Sequence, residues 1–395
     1  MKNFIFISPN FPANYWRFCR ELKNNGFNVL GIGDCEYFQL SQELKSSLTE
    51  YYKVSNLENY DEVFRAVAFY TFRYGKIDWL ESNNEYWLER DALLRTEFNI
   101  CTGFKSKDTN KIKFKSKMKP YYLKAGVKVA RYCIASSVKV CEKFIKKVGY
   151  PVIVKPDNGV GANDTHKIEN EGDLKNFFET KLPVSYIMEE FIDAEVNSYD
   201  AIIDSKGEPV FETGNVTPLS LMDVVNSGDN SIFYILNHPY DDVRDAGRRV
   251  VKAFGVKSRF VHFEFFRLNR DQHIGKKGEV VALEVNMRPS GGISPEMMNY
   301  ANSTDVYKIW ADMIAFDKSE KGVGEKFFCA FVGRRFGKRY VFDEQALRDK
   351  YYLNIKAVGR VPDALSGAMG NVMFLANFKT EEEMKAFYAD AVLSE

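Results

Sequence analysis

The chain has no paired cysteines of the kind that build a disulfide or zinc framework. Cys19, Cys35, Cys101, Cys133, Cys141 and Cys329 are scattered, with no CxxC spacing. No apolar run approaches the roughly 18 residues of a membrane-spanning helix. The N-terminal stretch Phe4 to Ile7 is too short to span or to target. Charge of one sign is missing as well: 55 basic against 54 acidic residues leave a formal net charge of +1. No global field therefore favours nucleic acid or an anionic membrane surface. The Walker pattern GxxxxGK[ST] does not occur, and Gly31-Ile-Gly33 lacks the third glycine of a dinucleotide fingerprint and follows the second strand instead of the first. There is no internal repeat and no low-complexity tract. These absences predict a cytoplasmic enzyme with reduced, buried thiols, no nucleic-acid partner and no membrane partner, whose binding is carried by local sites.

What is present is ordinary in bulk and specific in pattern. Hydrophobic and charged fractions of 45% and 28% are those of a folded globular chain, and 395 residues favour two or three domains. Phe4 to Ile7 reads as a buried strand. Tyr15, Phe18, Cys19 and Leu22 then recur at helical spacing up to Gly26, and Asn28 to Ile32 returns as a strand. A helix from Asn59 to Tyr74 stops at Gly75, a short strand Ile77 to Leu80 follows, and Glu85 to Phe98 reads as a helix. The first hundred residues thus form a small parallel α/β unit without a nucleotide signature of its own.

A lysine-dense tract comes next, with Lys107, Lys111, Lys113, Lys115, Lys117 and Lys119 ahead of Pro120, which interrupts a smooth helix. Val127 to Ile134 is expected as one strand. Further on, an apolar strand delivers Lys155 into a loop holding Asn158, Gly159 and Gly161. Glycines let backbone N–H groups approach phosphate oxygens, and an adjacent lysine offsets their charge; the alternative is a plain turn with an exposed lysine. Val184 to Ile192 reads as a strand carrying Glu189 and Glu190. Asn215 to Asn237 reads as a long polar loop near substrate or a mobile cover. Two strands then carry polar side chains on one face by the two-residue period. Phe260 to Phe266 presents His262 and Glu264, and Val280 to Gly292 presents Glu284, Asn286 and Arg288. If those strands pair, two carboxylates and a carboxamide converge, which suits a hard divalent cation carried in with phosphates. His262 either satisfies itself on the backbone in the core or sits on the ligand side beside Glu264.

In order and approximate spacing, Lys155 with its glycine loop, Glu189-Glu190-Phe191-Ile192, Glu264 and Glu284-Asn286-Arg288 resemble the ATP-grasp superfamily of carboxylate–amine ligase type, over Ser106 to Met313. The resemblance implies an α/β (α+β) fold. An N-terminal parallel α/β domain (1–105) would precede a small lobe with the phosphate loop (106–185), a large lobe with the metal site (186–318) and a C-terminal α/β segment (319–395). Nucleotide would lie between the antiparallel sheets of the two lobes. It also implies ATP with Mg²⁺ or Mn²⁺, as two ions. Counting back from Ala125-Gly126 places the first ATP lysine at Lys115, with Lys111 and Lys113 as alternatives. Lys155 would meet the α- and β-phosphates, the Asn158–Gly159–Gly161 loop would cover the β- and γ-phosphates, and Glu189, Glu190, Phe191 and Ile192 would receive adenine. Glu195 stands next to the position of a ribose contact. Glu264, Glu284 and Asn286 would hold metal, and Arg288, with Lys155, would act on the reacting group.

The implied reaction is ATP-dependent amide formation between a small-molecule carboxylate and an amine, through an acyl phosphate, releasing ADP and phosphate. Alternatives are a bicarbonate-using carboxylase or carbamoyl-type enzyme, and a non-catalytic ATP-binding module. Glu85, the Asn215 to Asn237 loop and Arg334 or Arg335 are candidate substrate contacts, and homodimerisation stays open.

Overall fold

The computed structural model describes residues 1–159, 164–218 and 228–394. Its first sheet is built from β1 (Asn3–Ile7), β2 (Asn28–Gly33), β3 (Glu50–Lys53) and β4 (Trp79–Glu81), all parallel, in the order β3-β2-β1-β4. The helix Trp16–Asn24 buries Phe18, Cys19 and Leu22, and Gly26, at φ +82°, supplies the left-handed turn into β2. On the other face the helix Tyr60–Tyr74 packs Val63, Ala66, Val67 and Tyr70 against Ile5, Ile7 and Leu30. Asn59 caps its start by accepting from the Glu62 N–H.

The next strands are β5 (Lys128–Val129), β6 (Tyr132–Ile134), β7 (Val152–Pro156), β8 (His166–Ile168) and β9 (Tyr186–Glu190). The last four form an antiparallel sheet, order β6-β9-β7-β8. It has its own core with the helices Val138–Val148 and Glu171–Thr180. The single strand expected over Val127 to Ile134 is two strands in two different sheets. Ala130 is buried against Ile192, Leu268 and Val281, and Arg131 ties its backbone N–H and guanidinium to Glu190 (both 2.7 Å), so the chain crosses between sheets at that point.

The largest sheet takes β5 together with β10 (Ala194–Ile203), β11 (Pro209–Thr217), β12 (Ser231–Ile235), β13 (Arg259–Leu268), β14 (Val280–Asn286), β15 (Phe328–Arg334), β16 (Ile355–Arg360) and β17 (Val372–Phe378). Their order is β16-β17-β15-β12-β11-β10-β13-β14-β5, antiparallel except for β14 with β5. One face of its centre is covered by the helix Asp241–Phe254 and the helix Lys115–Lys124. The other buries Ile202, Phe211 and Phe331 against the helices Ser294–Asn302 and Val306–Phe316 and against Phe4 and Phe18 of the first sheet's layer. Within the expected loop over Asn215 to Asn237, β11 runs on to Thr217 and Ser231–Ile235 forms β12, while residues 219–227 lie outside the described residues. β12 pairs with β15, about a hundred residues on, a partner that local polarity does not reveal. Among the described residues no helix is long and apolar enough to cross a membrane.

Candidate functional site

β13 and β14 pair antiparallel in the register that the two-residue period requires, with Glu264 opposite Glu284 and His262 opposite Asn286. On the far side of β13, β10 sets Ser198 opposite Glu264 and Asp200 opposite His262. Two cross-strand polar rows result. The first runs Glu284, Glu264, Ser198 and on to Asn215 of β11; the second runs Asn286, His262, Asp200 and on to Thr213. His262 therefore lies on the same face as Glu264, and side chains satisfy it instead of backbone. Its Nδ1 is 2.8 Å from Asp200 Oδ1 and its Nε2 is 3.4 Å from Glu264 Oε1. Burial opposes the imidazolium, but Asp200 and Glu264 outweigh it and push His262 up to about 9.

The lysine tract divides at Phe114, whose extended backbone (φ −93°, ψ 117°) separates the short helix Thr109–Lys113 from Lys115–Lys124. The two nearest lysines consequently go to different partners. Lys113 Nζ donates to Glu85 (Oε1 3.1 Å, carbonyl 3.0 Å). Lys115 Nζ lies 3.1 Å from Glu284 Oε1 and donates to the Gly159 carbonyl at 3.0 Å. Lys111 pairs with Asp108 away from these carboxylates. Pro120 sits inside the second helix without ending it.

Asp157 stitches that helix start to the glycine loop. It accepts from the Ser116 N–H and from the Ser116 hydroxyl (both 2.7 Å), while its carbonyl accepts from the Lys115 N–H (2.8 Å). Gly159 follows directly, and a side chain there would meet Pro156 at 2.9 Å. Asn158 is part-exposed at the end of the described segment, and Gly161 lies outside the described residues.

β7 delivers Lys155 to Glu189 on β9, Nζ to Oε2 at 2.8 Å, and Lys119 donates to Glu189 Oε1. One buried carboxylate thus serves two buried ammoniums. Burial raises the Glu189 carboxyl, but the two lysines override it and hold it at about 2. For Lys155, burial works against the charge, and Glu189, Glu284 and Glu264 together keep it above its ordinary value. Glu284 moves the other way: burial raises its carboxyl, Lys115 opposes, and the Glu264 charge adds to the rise. Glu264 is lowered against its burial by His262, Arg288 and Lys155.

Of the remaining expected residues, Glu190 is held by Arg131, Phe191 is exposed under the Lys167 ammonium, and Ile192 is buried. Glu195 accepts from Asn197 Nδ2 at 3.3 Å. Arg288 has its Nε 3.5 Å from Glu85 Oε2 and donates from Nη1 to the Pro289 carbonyl. Arg334 and Arg335 are drawn off to carbonyls. Arg334 clamps Ala391 and Phe342, and Arg335 clamps Asp229, Ser366 and Gly367, so both tie C-terminal elements together and neither joins the site.

Among the described residues no group of three or more His, Cys, Asp and Glu side chains is arranged to hold a metal unaided. The donor set nevertheless fits a hard cation that shares its coordination with phosphate oxygens: two facing carboxylates, Glu264 and Glu284, and a carboxamide on the same face. The sequence does not disclose the parts played by Lys119, Asp157, Ser198 and Asp200, because each works through a partner that is distant along the chain.

No family model matches the chain. An L-arginine-specific L-amino acid ligase of Bacillus subtilis is 26% identical over 242 residues, covering 58% of this chain and 56% of that protein. The chain spans about half the length of that curated relative, and less of a carbamoyl phosphate synthase large chain from Methanosarcina barkeri, which is 27% identical over 183 residues, 42% of this chain and 41% of its own. Among solved structures, an L-amino acid ligase from Bacillus licheniformis superposes with a TM-score of 0.71 at 14% identity, covering 98% of this chain and 96% of that one. The biotin carboxylase domain dimer of Hydrogenobacter thermophilus 2-oxoglutarate carboxylase, a complex with MgADP, ADP and bicarbonate, gives 0.69 at 15% identity, covering 100% and 90%.

Proposed function

The chain has the ATP-grasp fold, and on that premise we propose that it is an ATP-dependent carboxylate–amine ligase that forms an amide through an acyl phosphate and releases ADP and phosphate. One observation carries the reading: Lys115 with Glu284, and Lys155 with Glu189, gather two ammoniums and two carboxylates from separate elements around the face that also holds Glu264, Asn286 and Arg288. The relatives add support, being named as L-amino acid ligases and a carbamoyl phosphate synthase.

Mg²⁺-ATP would supply the phosphoryl group and the charge that lets Glu264 and Glu284 sit together. Lys115 and Lys155 would offset phosphate charge. Lys155 and Lys119 fix Glu189 at the start of the adenine-binding stretch Glu189 to Ile192, while Glu264, Glu284 and Asn286 offer oxygens to one or two cations. Arg288, at the end of the same face, neutralises charge on the reacting carboxylate. The Asn158–Gly159 turn, pinned by Asp157 to Ser116, sets one wall of the site against water.

ADP release should require both an acid and an amine. Glu284→Gln should lower turnover at least about 100-fold while the fold is kept; undiminished turnover in that variant would overturn the assignment. The bicarbonate complex of one structural neighbour favours a second reading, a bicarbonate-using enzyme. ADP release driven by bicarbonate with no organic acid present would select it.

A further inference from the structure

The first sheet reverses its strand order between β1 and β4, since β2 and β3 extend to one side of β1 and β4 lies on the other. In open parallel sheets the crevice outside the carboxyl ends of the strands, at such a reversal, is where ligands settle. Here the loops leaving those two ends carry Asn14 after β1 and Asn83 and Glu85 after β4, and they abut the turn that follows Arg288. Arg288 Nε is 3.5 Å from Glu85 Oε2. Asn14 Nδ2 donates to the Gly292 carbonyl (3.3 Å) and to Glu296 Oε2 (2.7 Å). The Tyr15 hydroxyl, within the influence of both Arg288 and Glu296, donates to the Asn83 carbonyl at 2.7 Å.

Among the described residues, three buried polar atoms in these loops have no hydrogen-bond partner: Glu85 Oε2, Asn14 Oδ1 and Asn83 Nδ2. Glu85 is 5% exposed and Asn83 2%. A buried group left so costs folding free energy unless something else meets it. Lys113 holds the other Glu85 oxygen and its backbone carbonyl, which fixes the carboxylate with Oε2 beside the Arg288 guanidinium at 3.5 Å but without a hydrogen bond. Two of the three free atoms accept and one donates. The fixed charges around them are three cations against two carboxylates, Lys113 and Arg288 facing Glu85 and Arg17 (3.7 Å) facing Glu296, so one positive charge is left over. The complementary ligand carries a donor-rich group for Glu85 Oε2 and Asn14 Oδ1, and oxygens for Asn83 Nδ2 and for the excess positive charge.

We propose that this crevice is the ammonium subsite of an amino-acid substrate. Glu85 Oε2 pairs with the ammonium, Asn14 Oδ1 accepts a second of its hydrogens, and Asn83 Nδ2 donates to an oxygen of the same molecule. The proposal rests on the ligase reading above. A simple carboxylic acid leaves Glu85 Oε2 unmet and sets a like charge beside it, and bicarbonate does the same.

The test uses the full chain with Mg²⁺-ATP and hydroxylamine as a common nucleophile. Hydroxamate and ADP are measured for a panel of α- and ω-amino acids and for the same acids without the amino group, such as alanine against propionate and 4-aminobutyrate against butyrate. At least one amino acid should be used about 10-fold or more better than its des-amino partner. Glu85→Gln should raise the KM for that amino acid about 10- to 100-fold, and Asn14→Ala, which leaves the Lys113–Glu85 pair in place, about 3- to 10-fold. The KM for ATP should stay within about twofold in both, a split that general loosening of the fold would not give. Equal use of the des-amino acids, or an unchanged amino-acid KM in Glu85→Gln, overturns the subsite and leaves the ligase reading standing. No product from any acid removes the ligase reading and the subsite together.

Discussion

Glu189 illustrates how much of the site depends on single buried charges. Its carboxylate faces Lys119 and Lys155, and all three side chains are nearly excluded from water. Taking the negative charge away leaves Lys119 buried without its carboxylate and Lys155 with only the charges of Glu284 and Glu264, so Glu189→Gln should destabilise the protein by about 3 to 5 kcal/mol near neutral pH. The pH dependence follows from the sign of the shift. A carboxyl held at about 2 when folded and near its ordinary 4.5 when unfolded contributes fully above about 4.5, and that contribution fades as pH falls toward 2. Chemical denaturation of both proteins between pH 7 and pH 3 should show their stability difference narrowing on the acid side; a constant gap would remove the charge argument. Glu189 itself was legible in the sequence as one of an acidic pair on a strand. Its double engagement was not, because Lys119 lies 70 residues away and Lys155 on another strand. Lys115 was separable from Lys113 only once the extended Phe114 broke the helix between them, a feature with no strong local signal.

At the scale of elements, the strands of the site were readable because the two-residue period is local. The alternation in Phe260 to Phe266 and in Val280 to Arg288 already puts Glu264, Glu284 and Asn286 on one face, and pairing in register then follows. Elements whose reason is a distant partner were misread, notably β12 within the expected loop. Helix propensity misleads in the same way at Gly247. In the helix Asp241–Phe254 a glycine interior should be improved by alanine by about 1 kcal/mol. This glycine, however, lies flat on β10: an added Cβ would stand 2.3 Å from Tyr199 Cγ and 2.5 Å from its Cδ1. The ring cannot easily yield, because its hydroxyl is hydrogen-bonded to Glu212 (3.0 Å) and the residue is fully buried. Overpacking of this kind costs about 1 to 3 kcal/mol and should exceed the propensity gain. Gly247→Ala is expected to lower the urea midpoint, and a raised midpoint would show that the helix can shift outward at little cost.

Across the whole molecule, the cores are divided unequally. The first sheet and the large sheet share one continuous core, in which Phe18 meets Trp310 at 5.0 Å and Phe4 meets it at 5.7 Å. A buried ionic strut reinforces that junction. Arg259 at the start of β13 binds both oxygens of Glu81 at the end of β4 (3.2 and 2.6 Å) and donates to the carbonyl of Met287, the residue before Arg288 (2.7 Å). The sheet β6-β9-β7-β8 instead keeps a separate core with its two helices. Its polar links to the rest run largely through Arg131 with Glu190, Lys119 with Glu189 and Asp157 with Ser116. Elements held by a shared apolar core open together, and those held by a smaller core of their own open at lower free energy. Native-state hydrogen exchange should therefore find the amides of β7 and β9 opening below the global unfolding free energy, while those of β1, β10 and β13 exchange only on global unfolding. Under the proposed function, Lys155 on β7 and Glu284 on β14 would both help to hold Mg²⁺-ATP, and its binding energy would add to the cost of parting the two sheets. Protection in β7 and β9 should then rise with nucleotide toward the value in β13. Uniform exchange across all three sheets without nucleotide would contradict the division of the cores. Subglobal opening that nucleotide leaves unchanged would contradict the shared hold on nucleotide alone.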